Sequence, residues 1–263
     1  MKSAFALGCL AAISMVEPTQ AEKTYSYNAL TLSWLGEFCE YSSSGSSKCK
    51  DGWDDSDIWN GKRFTIHGLW PQYDHPYDGR DPDCVDHDSP YQIDNFDVFE
   101  LFKDDQQMLD DLKLYWPETG KNQSPGSFYE HEWENHGTCY VMNLIRNNPE
   151  YQSEWEADKQ AFNKKMAKEY FRTAIDLTKQ LNLNSLQEKY QNQQDFTRDI
   201  GLGSYNDQKL KLVFRDDNEL DEMMVCFTQK VNPGVEQLVQ CPEWDLKEYR
   251  NSEFSVPDRY KGD

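Results

Sequence analysis

"FTIHGLWPQ", residues 64 to 72, places a single histidine, His67, between an apolar run and a glycine, and then continues with Trp70 and Pro71. The apolar and β-branched residues before the histidine predict a strand that stops at Gly68. A histidine at a strand end is either a packed core residue or a residue held there for chemistry. Residues elsewhere in the chain decide between the two.

The segments on either side of this stretch indicate an α+β fold. "ALTLSWLGEFC" (residues 29–39), "KLKLVF" (209–214) and "MMVCF" (223–227) have the composition of strands. Between them, apolar residues recur at helical spacing over 94–116, with Pro117 as a stop, and again from roughly 154 to 181. The predicted helical faces consist of Phe99, Phe102, Leu109, Leu112 and Trp116, then Phe162, Met166, Tyr170, Ala174 and Leu177. Strands at both ends with helices gathered between them favour α+β over a parallel α/β sheet.

The first 21 residues resemble a secretory signal peptide. Lys2 precedes a short apolar stretch, and Thr19, Gln20 and Ala21 form a small-residue cleavage site. We therefore expect a single domain over residues 22–263 that enters the secretory route. Six of the seven cysteines lie outside this leader, an even number that suits an oxidising compartment. Their spacing alone leaves the pairing open. The sequon at Asn122 fits the same route, although Pro125 weakens it.

The charge of the chain opposes polyanion binding. With 27 basic and 47 acidic residues, the formal net charge is −20, and no basic footprint for a nucleic acid is visible. Binding or cleavage of a polyanion would require a local site and would be more efficient at acidic pH. Residues 74–90 predict a long irregular loop, with His75 and His87 at the surface. Calcium binding there is disfavoured because regular oxygen-ligand spacing is lacking.

A second stretch, "SFYEHEWENHGTC" (residues 127–139), gathers His131, Glu132 and His136. A zinc site of the H-E-x-x-H kind needs histidines four apart, whereas these are five apart, about 140° around a regular helix. We therefore expect no metal and no other cofactor. Cys139 belongs to an even set in an oxidising compartment, which makes a bonded cysteine more favourable than a nucleophile.

Two histidines and a carboxylic acid suit general acid–base catalysis without a metal. One imidazole accepts a proton while its partner donates one, since both titrate near mildly acidic pH. Cleavage of RNA through its 2′-hydroxyl requires this pair of proton transfers. The sequence leaves open which histidine is the base and which the acid.

"TIHGLWPQ" and "FYEHEWENHGTC" resemble the two active-site segments of the ribonuclease T2 family. The resemblance extends to "LTLSWLGEFC", "LYWPE", "ELDEMMVCF" and "QCPEW", and so spans most of residues 27–245. It implies a mainly antiparallel central sheet with helices packed around it, stapled by disulfides. It also implies that the pairs are Cys39–Cys49, Cys84–Cys139 and Cys226–Cys241.

The resemblance also implies roles for individual residues. His67 and His136 match the acid–base histidines, His131 the phosphate-binding histidine, and Glu132 the acid that polarises the phosphoryl group. Trp70 and Phe128 match aromatic residues that hold the bases on the 5′ and 3′ sides of the cleaved bond. We assign Trp34 and Trp133 to packing.

Five positions depart from the family pattern. Asn135 stands where most members carry lysine, and this loss of charge predicts a slower enzyme. Gln72 replaces a common aspartate, Ser33 a usual glutamine, Leu35 a usual proline and Tyr129 a usual tryptophan, so base preference does not follow from the resemblance.

These observations predict a secreted or lysosomal or vacuolar endoribonuclease that acts on single-stranded RNA as a monomer, without a membrane or an obligate protein partner. The alternative from another class is a catalytically weakened member that binds or stores RNA. Asn135 and the net charge favour the alternative, and the retained histidines with Glu132 oppose it.

Overall fold

The structure is a computed structural model that describes residues 25–34, 64–73, 82–120, 123–183, 186, 189–202, 210–214, 220–228, 237–241 and 254–255. Within these ranges the elements follow the order strand, strand, helices, then short helices and strands. Their bounds are β1 Tyr27–Trp34, β2 Phe64–Gln72, α1 Pro82–Val85, α2 Val98–Leu101, α3 Gln106–Tyr115, α4 Ser127–Glu132, a π-turn Trp133–Gly137, α5 Thr138–Asn147, α6 Pro149–Ala157, α7 Lys159–Lys179, β3 Lys189–Tyr190, α8 Gln193–Asp199, β4 Leu210–Phe214, β5 Leu220–Thr228 and β6 Phe254–Ser255.

The main sheet is antiparallel and has the strand order β2-β1-β5-β4. Every residue of β1 is buried, since this strand is central and both of its faces are covered. β3 and β6 form a separate antiparallel pair. The α+β class and the mainly antiparallel sheet are therefore confirmed.

The helical region predicted over 94–116 consists of two helices, α2 and α3, which begin at Val98, four residues later than predicted, and end at Tyr115. Asp97 and Asp105 cap α2 and α3 by accepting hydrogen bonds from the first free backbone N–H groups, and Pro117 follows soon after α3 ends. Phe102, Leu112 and Trp116 are buried, as predicted. Phe99 is 37% exposed, so its placement on the buried face was wrong. The α2 helix is a single turn, and a face predicted from one continuous helix does not hold across its end.

The helical region predicted from 154 to 181 is two helices. Asp158 adopts an extended backbone and caps α7 by accepting from the N–H of Ala161, so α6 ends at Ala157. The predicted buried face of α7 is confirmed, and it consists of Phe162, Met166, Tyr170, Ala174 and Leu177. These residues pack in the main core with the sheet.

Some predictions fall on residues outside the described ranges. These are the leader, Cys39, Cys49, His75 and Asn122. Residues 82–85 form a one-turn helix, so the stretch 74–90 is not irregular throughout, while His87 is exposed as predicted. No helix in the described part of the chain is both long enough and apolar enough to cross a membrane.

Candidate active site

β2 carries an extra residue at the first predicted site position. Gly68 pairs with Thr31 of β1, and Ile66 pairs with the next residue, Leu32, so His67 is bulged out of the ladder. A bulge of this kind reverses the alternation of faces beyond it. Trp70, three residues on, therefore shares a face of the strand with Thr65. The predicted stop at Gly68 was wrong, because the strand runs on to Gln72 after the bulge.

Aromatic side chains hold the backbone around the bulge. The indole of Trp116 donates to the carbonyl of His67 over 3.1 Å, and the hydroxyl of Tyr170 donates to the carbonyl of Leu69 over 3.0 Å. Tyr129 in turn donates to the carbonyl of Trp116 over 2.7 Å. The carbonyls of His67 and Leu69, on an edge strand of the main sheet, thereby have side-chain donors. His67 is consequently fixed from the core side.

The second segment changes helix type at its centre. Residues Trp133–Gly137 form a π-turn between α4 and α5, closed by the N–H of Thr138 donating to the carbonyl of Trp133. The prediction that His131 and His136 lie on one regular helix was therefore wrong. A π-turn bonds residues five apart and is frequent at functional sites. Trp34 and Trp133 are buried packing residues, as predicted.

The two segments meet at one indole. Trp70 stacks on His136 with ring centroids 5.0 Å apart and planes at 26°. The same ring lies edge-on to His67, with centroids also 5.0 Å apart. Its Nε1 donates to Oε2 of Glu132 over 3.1 Å. Two imidazoles and a carboxylate from distant parts of the chain are thereby brought to a single side chain.

Gly68 permits this close approach. A Cβ at position 68 would collide with Glu132 Oε2 and Trp70 Nε1, the two atoms that share the hydrogen bond. Glu132 is 1% exposed, so its carboxylate is enclosed. The glycine is required for space, and no positive φ is involved.

His131 lies at the exposed edge of the site and is held by Asn135. The amide Nδ2 of Asn135 donates to the carbonyl of His131 over 2.8 Å and lies 3.2 Å from its Nδ1. Because this nitrogen is a donor, the neutral imidazole accepts at Nδ1 and carries its hydrogen on Nε2. The amide therefore orients His131.

A cleft opens beside His67. It is lined by Ser33, Thr65, Ile66, His67, Pro117, Thr119, Gln123 and Phe128. The ring of Phe128 lies 6.1 Å from that of His67, centroid to centroid. Gln72 is half-buried on the same face of β2 as Trp70, but it does not line this cleft. Hydroxyl and amide groups on an apolar wall suit a planar ligand with polar edges.

Glu222 of β5 is the contact that sequence reasoning missed. Its Oε1 lies 2.8 Å from Nδ1 of His67 and also accepts from Ser33 Oγ over 2.7 Å. Burial alone lowers the pKa of His67, but the hydrogen bond and charge of Glu222, together with the charges of Glu132 and Asp221, outweigh burial and raise it. The sequence held one signal. Glu222 lies on the same strand face as Met224 and Cys226, where a carboxylate among apolar residues is unusual.

Disulfides brace both parts of the site. Cys84 is bonded to Cys139, just beyond the π-turn, and Cys226 is bonded to Cys241 beside β5. Two of the three implied pairs are present, and the third lies outside the described residues.

In the described ranges, no group of three or more His, Cys, Asp or Glu side chains is placed to hold a metal ion.

The fold and the site define a class, namely disulfide-braced α+β proteins with paired histidines at a sheet edge. The chain belongs to the Ribonuclease T2 family, whose family model matches residues 25–249.

Known proteins agree with this assignment. The chain is 31% identical to Ribonuclease T2-A of Mus musculus over 162 residues, which covers 61% of this chain and 44% of the relative. It is 28% identical to Ribonuclease 1 of Arabidopsis thaliana, covering 70% of this chain and 65% of that one. The fold is that of human RNase T2, with a TM-score of 0.51 and 19% identity over 89% of this chain and 99% of the other. The match spans less than half the length of the mouse relative.

Proposed function

We propose that this chain is an endoribonuclease that cleaves single-stranded RNA by acid–base transesterification without a metal or other cofactor. The 2′-hydroxyl loses its proton and attacks the adjacent phosphorus, and the 5′-oxygen leaves with a proton. The product is a 2′,3′-cyclic phosphate, which slower hydrolysis converts to a 3′-phosphate. One domain over residues 22–263 carries the activity.

The observation that carries this proposal is the placement of His67 and His136 against the indole of Trp70. Both imidazoles are half-buried, so each keeps contact with solvent and substrate. A positioned imidazole contributes about 10²- to 10⁴-fold through proton transfer. In this proposal the two histidines are the proton donor and the proton acceptor.

Glu132 and His131 act on the phosphate. Enclosed beside Trp70, Glu132 polarises the phosphoryl oxygens when it carries a proton, and His131 donates from Nε2 to a phosphate oxygen at the exposed edge. Groups that are already in position stabilise the charge on the phosphorane without reorganising during the reaction. Asn135 contributes by holding the His131 ring.

The bases are held by aromatic side chains on each side of the cleaved bond. Phe128 lines the cleft beside His67 and takes the base on the 3′ side. Trp70, with Gln72 two residues further along the same strand face, takes the base on the 5′ side. Base–aromatic stacking is worth about 1–3 kcal/mol per base and suits single strands.

The charge and the cysteines support the place of action. A net charge of −20 repels RNA near neutral pH, and protonation of carboxylates and histidines in an acidic compartment reduces that repulsion. Two disulfides fit an oxidising compartment. We propose a secreted or lysosomal or vacuolar protein, led there by residues 1–21, glycosylated at Asn122, and active as a monomer.

Alanine substitutions test the proposal. His67→Ala and His136→Ala should each lower the turnover of homopolymeric RNA by at least about 10²-fold while circular dichroism shows both variants folded. His87→Ala, an exposed histidine outside the two proposed catalytic segments, is the matched control and should retain full activity. EDTA should have no effect. Undiminished turnover by either site variant, or cleavage stopped by the chelator, contradicts the proposal.

A second candidate function is RNA binding or storage with little catalysis, and Asn135 favours it. The amide of Asn135 is engaged with His131 and brings no positive charge to the phosphate. Cleavage measured from pH 4 to 8 separates the two candidates. An enzyme gives a bell-shaped rate profile, whereas a binding protein gives salt-dependent retention of intact RNA.

A further inference from the structure

We propose that Glu222 is a positioning residue that holds the imidazole of His67 for proton transfer, with Ser33 fixing the carboxylate. The inference rests on the proposed function and extends it to a strand that the catalytic segments do not include. It adds a third element, β5, to the site.

The geometry spans three neighbouring strands. Thr65 of β2, Ser33 of β1 and Glu222 of β5 lie side by side in register, on one face of the sheet. His67 is bulged toward this row, and its Nδ1 reaches Glu222 Oε1 at 2.8 Å. The residue between them on β1 must be small, because neighbouring strands are only about 4.8 Å apart. Ser33, where most family members carry glutamine, leaves that space.

One carboxylate oxygen serves both neighbours. Oε1 of Glu222 accepts from Ser33 Oγ over 2.7 Å, and an O–H donor favours the ionised carboxylate. An ionised carboxylate only accepts hydrogen bonds, so Nδ1 of His67 must carry the hydrogen. Nε2 is then the ring nitrogen that exchanges a proton with the substrate. The contact therefore selects both the tautomer and the ring orientation.

The groups that act on His67 come from several elements. β5 contributes the charges of Glu222 and Asp221, and α4 contributes that of Glu132. His136 faces it across the Trp70 ring. Among the described acids, Glu222 acts on His67 through both a hydrogen bond and its charge, whereas Glu132 and Asp221 act through their charges.

Glu222 is the less exposed partner of this pair. The side chains of His67 and Glu222 are 35% and 21% exposed. The histidine also lies between Trp70 and the cleft residue Phe128. A partner in that position controls the proton of a side chain that lines the cleft.

Nuclear magnetic resonance titration of the histidines tests the contact directly, with His67→Ala used to assign the resonance. In Glu222→Gln the pKa of His67 should fall, because the hydrogen bond to a carboxylate and its charge are lost while burial remains. Asp221→Asn is the matched control, since it removes the same charge from the adjacent residue but breaks no bond to His67. Its effect on the pKa of His67 should be smaller.

The rate profile tests the role in catalysis. Glu222→Gln should lower kcat by about 10- to 100-fold with little change in KM, by analogy with the partners that orient metal-binding histidines. One limb of the pH profile should move to lower pH, and that limb identifies whether His67 is the base or the acid. Ser33→Ala keeps the charge and should lower kcat less.

The outcomes are separable. If the wild-type chain cleaves no RNA, the proposed function fails, and the titration still decides whether Glu222 controls His67. If Glu222→Gln is folded but leaves the pKa of His67 and both limbs of the profile unchanged, the inference is overturned. Equal effects of Glu222→Gln and Asp221→Asn would also overturn it, because charge alone would then suffice.

Discussion

Trp70 donates its indole N–H to the enclosed carboxylate of Glu132 over 3.1 Å, and this hydrogen bond joins β2 to α4. It links the two sequence segments that hold the proposed catalytic residues. Because His67 and His136 both pack on the same ring, a change at Trp70 acts on all three groups at once. The indole therefore has a structural role in addition to the base-stacking role proposed for it.

Trp70→Phe separates these two roles. Phenylalanine keeps an aromatic face against His136 but leaves the carboxylate of Glu132 without the indole donor, which should cost about 1–3 kcal/mol of stability. We expect kcat to fall and the retention of RNA to change little. Trp155→Phe is the matched control, since Trp155 Nε1 makes no hydrogen bond within the described residues. Equal stability of the two variants in urea would contradict the prediction.

Gly68→Ala tests the close approach at the bulge. The added Cβ would collide with both atoms of the Trp70–Glu132 hydrogen bond, so one side chain must move. Overpacking of this kind costs about 1–3 kcal/mol. Activity should fall by more than the loss of folded protein explains, as measured by turnover at a temperature where circular dichroism shows the variant folded. Normal turnover would show that the hydrogen bond is dispensable.

Local patterns in the sequence predict the fold well and the site in part. The core face of α7 follows from helical periodicity, and the α+β class follows from the order of strands and helices. The β-bulge at His67 and the π-turn at 133–137 were missed, because each inserts one residue against the regular period. Glu222 was missed for another reason. It reaches His67 across 155 residues of sequence, and no local pattern encodes such a pairing.

Asn135→Lys tests the departure from the family pattern. A charge facing the phosphorane is expected to raise kcat by about 10²- to 10³-fold, by analogy with an added oxyanion donor. The substitution also releases His131, whose carbonyl bonds the amide of Asn135. Asn135→Met, similar in length to lysine but uncharged, measures the cost of that release. A lysine variant no faster than the methionine variant would show that position 135 does not face the phosphate.

The two disulfides should differ in their effect on activity. Replacing Cys84 and Cys139 by serine opens a disulfide loop whose ends are 55 residues apart in sequence. Replacing Cys226 and Cys241 opens one whose ends are 15 residues apart. Loss of a native disulfide costs about 2–5 kcal/mol, and the longer closure should cost about 1 kcal/mol more. The first lies against the π-turn that carries His136, whereas the second joins β5 four residues beyond Glu222, so we expect loss of the first to lower kcat more. Urea unfolding and turnover of both double variants check this.

The stability of the fold should be highest at mildly acidic pH, and two side chains show why. The pKa of Asp105 is lowered mainly by its hydrogen bond with Arg172. Asp105 therefore adds to the free energy of unfolding above about pH 4, and this stabilisation is lost as the pH falls through the pKa of Asp105 in the folded protein. The pKa of His67 is raised by Glu222 against the effect of burial. His67 therefore adds to the free energy of unfolding below about pH 6.5, and this stabilisation is lost as the pH rises through the pKa of His67 in the folded protein.

Paired variants measure these contributions. Asp105→Asn should be less stable than the wild type at about pH 5.5 and closer to it at about pH 3, where the carboxylate is protonated. His67→Gln should show its largest deficit at about pH 5.5 and a smaller one at about pH 8. Both effects should be small, because the two side chains are 36% and 35% exposed. A deficit of His67→Gln that grows with pH would mean that Glu222 does not stabilise the imidazolium.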